Sequence, residues 1–274
     1  MFIKRFFSSI AWILFAYAAV YLFPLWGFRL VVTVLVGLGL YEFYSLSEKK
    51  GIRVGKFFAT AMGLLVPLFA YREHLTRQTL AAYPFFTFLF FLIFFGYQFA
   101  KGKNEGSLAG LSVSVAGVVY VSVLFSFLIP LRMDGSHLVS YLFLVTKGGD
   151  IGAYLVGSSI GNRPVVPRVS PNKTVEGTLA GIATSMVIGV AASPLLRSYF
   201  DLSSGTWSLL LCAGIGLVLG VVGLCGDLAE SLLKRDCQTK DARKFIPGMG
   251  GILDVIDSLL FTTPLFYAAV RFVK

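Results

Sequence analysis

Long apolar runs recur along this chain, and they restrict its fold more than any other feature. We read nine: Ser9–Phe23, Phe28–Ser47, Lys56–Tyr71, Leu80–Ala100, Leu108–Leu131, Leu138–Ile160, Gly177–Leu196, Trp207–Lys234 and Ile252–Val273. A helix of roughly 20 such residues crosses a hydrocarbon layer of about 30 Å and pairs every backbone group internally. A β-barrel would instead show alternating segments of about 10 residues. The expected fold is therefore all-α, a polytopic integral membrane helical bundle of about nine transmembrane helices. Composition agrees, because 56% of residues are hydrophobic and only 14% charged, whereas a soluble surface takes about 25% charged residues. The first run follows Lys4 and Arg5 like a signal peptide, but no small-residue cleavage site follows and the second run begins at once.

The net charge of +10 raises the question of a nucleic acid partner. In a membrane chain it has a plainer meaning, since basic residues collect in cytoplasmic loops. With nine spans, the N-terminus and the even-numbered connections carry sixteen lysines and arginines against seven on the other side, with Lys147 inside span six. Without the 6–7 and 8–9 connections the balance is eight to seven. The N-terminus and the polar connections near the C-terminus are thus expected in the cytoplasm, with the protein in the cell inner (plasma) membrane. Residues 1–105 read as a Phe-rich scaffold of spans one to four, whose sole intramembrane acid is Glu42, and 106–274 as a catalytic region of spans five to nine. Cys212, Cys225 and Cys237 are odd in number without CxxC spacing, and His74 and His137 are far apart. A disulfide framework or zinc site is not expected, so any metal would be a hard cation held by carboxylates, such as Mg²⁺.

Ionisable residues beside lipid cost several kcal/mol unless paired or functional, which makes their positions informative. In KGGDIGAY, Asp150 sits in an apolar context with Tyr154 one turn on. A helix-packing surface of small residues is the plain structural account. In VSPNKTVEG, Pro171 and Asn172 mark a turn, and Ser170, Asn172 and Thr174 offer caps for the following helix. That helix start, beside Lys173, suits a phosphate, and Glu176 suits a cation. An ordinary basic turn with a helix cap accounts for the same residues equally well.

The densest stretch is CGDLAESLLKRDCQTKDARKFIPGMGGILDVIDSL, Cys225 to Leu259. Asp227, Ser231 and Arg235 follow i, i+4, i+8 on one helix, and Glu230 with Lys234 forms an i, i+4 pair on the adjacent stripe. Lys240, Arg243 and Lys244 form a basic loop with Gly248, Gly250 and Gly251, which let backbone approach a ligand. Asp254 and Asp257 then lie at i, i+3 near a helix start and repel each other unless a cation lies between them. Carboxylates for Mg²⁺, bases for phosphates and glycines for close approach are the parts of metal-assisted phosphoryl or nucleotidyl transfer.

SLLKRDCQTKDARKFIPGMGGILDVIDS resembles the signature of phosphatidate cytidylyltransferases (CDP-diacylglycerol synthases): S-x-x-K-R-x-x-x-x-K-D, a Gly-rich turn, then L-D-x-x-D-S. Ser231, Lys234, Arg235, Lys240, Asp241, Pro247, Gly248, Gly250, Gly251, Asp254, Asp257 and Ser258 match. Upstream, GDIGAYLVGSSIGNRPVVPRVSPNKTVEG is similar to the family through Asp150, Tyr154, Gly157, Gly161, Ser170, Pro171, Lys173, Thr174, Glu176 and Gly177 among others. The resemblance covers about Lys147 to Ser258. It departs at Met249, where the family usually has His, and at Val255, where it usually has Arg.

The resemblance implies CTP + phosphatidate → CDP-diacylglycerol + pyrophosphate, with Mg²⁺, a second cation as an option, and a homodimer. On that basis Asp227 and Asp254 are expected as the main metal ligands, with Asp257, Asp150 and Glu176 as further or supporting ones. Lys234, Arg235, Lys240 and Arg243 would grip the triphosphate or leaving pyrophosphate, and Lys173 the other phosphate. Ser231 and Ser258 would hydrogen-bond phosphate or metal-bound water. Asp227, Asp254, Lys240, Lys234 and Arg235 are the expected catalytic set. Two rivals stand beside this: a CTP-dependent lipid kinase, and a cation-coupled transporter using Asp150, Asp227 and Asp254. No internal repeat supports the transporter, and the acids lie beside phosphate-binding bases.

Overall fold

Pro24 separates the first two helices. Helix α1 (Phe2–Tyr17), prolonged by a π-helical turn to Leu22, stops before it, and α2 (Leu25–Lys49) begins directly after, as a residue with fixed φ and no N–H permits at a helix start. The remaining helices are α3 (Lys56–Phe69), α4 (Ser107–Asp134, with a π-helical turn at Val118–Val123), α5 (Ser136–Ile160), α6 (Val175–Ala191), α7 (Thr206–Asp236) and α8 (Ile252–Phe272). The computed structural model describes residues 2–52, 54–69, 88, 91–97, 99, 106–197, 206–239 and 250–272. Among the described residues the one sheet is an antiparallel pair, β1 (Pro164–Val166) and β2 (Ser170–Thr174). The all-α expectation holds apart from this ribbon.

The chain divides into two compact units, Met1–Pro130 with Cys237–Val255, and Leu131–Asp236 with Ile256–Lys274. In the first, α2 packs on α3 and on the π-helical turn of α4. Tyr44, fully buried, donates its hydroxyl to the Ser114 carbonyl at 2.9 Å, and the Ser122 hydroxyl donates to the Gly63 carbonyl. Lys56 pairs with Glu48 at 2.5 Å and lies over the Tyr41 ring.

In the second unit, α5 and α7 both pack on α6. The contact surfaces are built of small residues, which let backbones approach without a large interhelical side chain. A Cβ on Gly181 would meet the Ala153 Cβ at 2.8 Å and the Gly149 carbonyl at 3.0 Å. Ser185, buried between them, donates to the Val145 carbonyl at 3.2 Å. Tyr141 stacks on Phe266 and donates to the Gly189 carbonyl at 3.3 Å.

Among the described residues, four helices are long and apolar enough to cross a membrane: Leu25–Lys49, Ser107–Asp134, Ser208–Asp236 and Ile252–Arg271. The other expected spans fall short for separate reasons. The apolar helices Ile10–Leu22, Lys56–Phe69 and Val175–Ala191 are shorter. Helix α5 is 25 residues long, but Lys147, Asp150 and its Gly and Ser residues lower its hydropathy. The expected span Leu80–Ala100 lies outside the described residues except at 88, 91–97 and 99, where the chain is helical. Helix α7 exposes Leu210, Leu217, Val218 and Val221, a surface that water disfavours and lipid accepts.

Candidate active site

In the second unit, charges gather where α5, α7, α8 and β2 bring them. Lys147 and Asp150 are i, i+3 on α5 and share one face. The Lys147 ammonium donates to Ser258 Oγ at 2.7 Å and to Asp150 Oδ2 at 3.2 Å, and lies 3.9 Å from Asp257 Oδ1. Ser258 Oγ in turn donates to Asp150 Oδ2 at 3.2 Å, and Asp257 Oδ1 accepts the Ser258 N–H at 2.6 Å. Asp257 is 7% exposed. A carboxylate so buried needs a nearby cation, and Lys147 supplies it.

Asp227 joins the group from α7 and lies within electrostatic reach of both Lys147 and Asp257. What brings it there is Gly226. A Cβ at Gly226 would come 2.5 Å from the Asp257 carbonyl oxygen and 3.2 Å from the Ser258 Cα, both backbone atoms that cannot rotate away. Gly226→Ala should therefore force α7 off α8 and cost about 1–3 kcal/mol. The check is a thermal melt of the full chain, and an unchanged melting temperature would show that the close approach is not required.

Lys173 reaches Asp227 from β2, with Nζ 2.5 Å from Oδ2, near in distance though not aligned as a hydrogen bond. The ribbon that carries it differs from expectation. Pro171 and Asn172 lie within β2, and the turn falls at 167–169, with Val166 opposite Ser170 and Pro164 opposite Thr174. Proline is tolerated because a two-stranded ribbon has only edge strands. Thr174 is the cap at the start of α6, its Oγ1 accepting the Gly177 N–H at 3.2 Å. Glu176 Oε2 accepts the N–H groups of Asn162 and Arg163 at 3.1 and 3.4 Å, so its carboxylate secures the base of the ribbon. Arg235 Nε donates to the Val169 carbonyl at 3.2 Å, tying the end of α7 to the turn.

Glu230 and Lys234 form the expected pair at 2.6 Å, and both are buried, at 1% and 7% exposure. Ser231 is half-buried one turn beyond Asp227. Lys240 and Arg243, with Asp241, Lys244 and Met249, lie outside the described residues.

In the first unit, Asp254 caps its own helix, Oδ2 accepting the Gly251 N–H at 2.8 Å, beside Gly250 at φ +98°. Glu42 of α2 completes that cap. Its two carboxylate oxygens accept the N–H groups of Ile252 and Leu253 at 2.9 and 2.8 Å. Sequence reasoning put Glu42 in the scaffold and placed Lys147 inside span six without giving it a role. The available signal was that each is an ion within an apolar run.

Among the described residues no three His, Cys, Asp or Glu side chains are grouped closely enough to hold a metal ion. The donor set fits Mg²⁺ in a narrower sense. At phosphate sites Mg²⁺ takes one or two carboxylates, with phosphate oxygens and water completing the shell. The Asp227 side chain, 35% exposed beside Lys173, offers such an oxygen, and Asp150, 42% exposed, lies beside Lys147.

A model of the cytidylyltransferase family matches residues 3–273. Among curated proteins, the chain is 33% identical over 273 residues to a phosphatidate cytidylyltransferase of Synechocystis sp., covering 88% of this chain and 87% of that one. It is 39% identical over 164 residues to a phosphatidate cytidylyltransferase of Staphylococcus aureus (strain COL), 60% of each chain. An uncharacterized protein of Escherichia coli (strain K12), YnbB, is 44% identical over 138 residues, 50% of this chain and 44% of that one. The chain thus spans about half the length of the latter two relatives.

Proposed function

The chain belongs to the cytidylyltransferase family, and from that premise we propose that it makes CDP-diacylglycerol and pyrophosphate from CTP and phosphatidate. The observation that carries this reading is the cluster of Asp150, Asp227 and Asp257 with Lys147 and Lys173 on otherwise apolar helices. In the reaction, a phosphatidate phosphate oxygen bonds to the α-phosphorus of CTP, and the bond from that phosphorus to the β-phosphate's bridging oxygen breaks. The nucleophile is an oxyanion near neutral pH, so the protein's task is alignment and charge neutralisation of two polyanions. Bound Mg²⁺ would polarise the α-phosphate and neutralise the leaving pyrophosphate; Asp227 and Asp254 are its assigned ligands, with Asp150 and Asp257 in support.

Lys173 is suited to move from Asp227 to a phosphate, exchanging one oxyanion for another. Lys240 and Arg243 are assigned to the triphosphate, together with Arg235, while Ser231 and Ser258 donate hydrogen bonds. Lys234 acts through its buried pair with Glu230, which fixes the end of α7. Glu176 keeps a supporting part, holding the ribbon that carries Lys173. The proposal includes a multi-pass chain of about nine spans in the inner membrane, an active site on the cytoplasmic face and association as a homodimer. Both acyl chains then stay in lipid while the headgroup enters the polar cluster.

Purified full-length protein in detergent with CTP, phosphatidate and Mg²⁺ should form CDP-lipid and pyrophosphate in equal amounts, read by chromatography and a phosphate assay. CDP together with a phosphorylated lipid alcohol would overturn the proposal in favour of a lipid kinase, and absence of CTP turnover would favour a transporter.

A further inference from the structure

Lys147 was given no role of its own in the chemistry above, yet it stands among Ser258, Asp150 and Asp257 in the polar cluster. Its ammonium has three protons. One is directed to Ser258 Oγ at 2.7 Å and one to Asp150 Oδ2 at 3.2 Å, while Asp257 Oδ1 stands 3.9 Å away. Asp227 adds a further negative field. An ammonium that donates to one carboxylate and one hydroxyl and lies 3.9 Å from a second carboxylate fills a place suited to a cation. Lys147 lies within an apolar run of α5, where an unpaired ammonium costs several kcal/mol.

We propose that Lys147 is a positioning residue that serves as the built-in cation of the Asp150–Asp257 half of the cluster, so that this half needs no metal of its own. Asp227, whose partner Lys173 comes from the separate ribbon, is left as the carboxylate that meets an ion arriving with nucleotide. For its catalytic meaning the inference rests on the nucleotidyl-transfer reading. Its physical content is independent of that reading. A covalently held charge of +1 beside Asp150 and Asp257 repels a divalent ion, and removing it leaves two carboxylates and a hydroxyl whose oxygens lie within 3.9 Å of its place, a hard-oxygen donor set.

The test is titration of the full-length protein in detergent with Mn²⁺ alone, followed by electron paramagnetic resonance, with CTP turnover measured on the same samples. Lys147→Met, nearly isosteric and uncharged, should bind one more Mn²⁺ per chain than wild type, or bind it about tenfold or more tighter. Lys147→Arg, which keeps the charge, should match wild type in Mn²⁺ binding. The double variant Lys147→Met/Asp257→Asn should lose the added ion, which locates it. Superimposable isotherms for wild type and Lys147→Met overturn the inference, as does a gain that survives Asp257→Asn. If Lys147→Met does not fold, Lys147→Gln takes its place, and failure of both to fold overturns the inference by making Lys147 a purely structural counter-ion. A wild-type protein that turns over no CTP while Lys147→Met still gains the ion supports the built-in cation and overturns the nucleotidyl-transfer reading.

Discussion

On the proposed function, Asp227→Asn is expected to abolish CDP-lipid formation while leaving the protein folded. Asparagine keeps the shape of the side chain and removes only its charge, so packing around Gly226 and α8 is preserved. Folding loses little, because the Asp227 side chain is 35% exposed and partly exposed ion pairs contribute little to stability. Catalysis should lose much more. If Asp227 is a metal ligand as proposed, the variant would neither draw a divalent ion to this end of α7 nor hold Lys173, 2.5 Å away in the wild type, in readiness for phosphate. Removing one preorganised electrostatic group from a site of this kind costs about a hundredfold to a thousandfold in rate, and a metal ligand should lie at the upper end. CDP-lipid formation by wild type and variant at saturating CTP and Mg²⁺ measures this directly, with a melt of each to establish folding. A variant retaining more than a tenth of wild-type turnover would remove Asp227 from the metal ligands. The same substitution at Asp254 separates charge from capping, because an asparagine Oδ can still accept the Gly251 N–H.

What could be read from the amino acids was whatever depends on neighbours along the chain. Apolar runs located α2, α5, α7 and α8 to within a few residues, since hydropathy is a local sum. The i, i+4 spacing of Glu230 and Lys234 became a contact because both lie on one helix. Thr174 was recognisable as a cap because Gly177, which it holds, is three residues away. Asp150, Asp227 and Asp257 stood out as acids among apolar residues, and the fold sets Asp150 and Asp257 beside Lys147 with Asp227 in electrostatic reach.

Contacts made over long separations were hidden. Lys147 is 111 residues from Ser258, and nothing in KGGDIGAY announces that its lysine points to a distant serine. The ribbon was missed for a different reason. Proline and asparagine in SPNKT carry strong turn propensity, but pairing with Pro164–Val166 outweighs it and moves the turn upstream. Glu42 combined both difficulties. It was visible as a lone acid in an apolar run, yet its partners Ile252 and Leu253 lie 210 and 211 residues away.

Glu42→Ala should be the most destabilising single substitution in the first unit. The start of a helix leaves backbone N–H groups without intrahelical partners, and at α8 the carboxylate of a different helix satisfies two of them at 2.9 and 2.8 Å. Glu42 is 0% exposed, so water cannot replace the lost oxygens without a cavity forming. Two buried donors left unpaired cost about 1–3 kcal/mol each, and the lost negative charge at the positive end of the helix dipole adds to this. The total, about 3–6 kcal/mol, is a drop of roughly 10 °C or more in melting temperature for a chain of this size. Glu42→Gln keeps one carbonyl oxygen as acceptor and should lose about half as much. Turnover should fall with both, because Asp254 lies two residues beyond the Ile252 N–H that Glu42 holds, and a helix start that frays carries Asp254 with it. If Glu42→Ala melts within 2 °C of wild type, the cap contributes nothing. If it melts low but retains full turnover per folded molecule, Glu42 stabilises the unit without orienting Asp254.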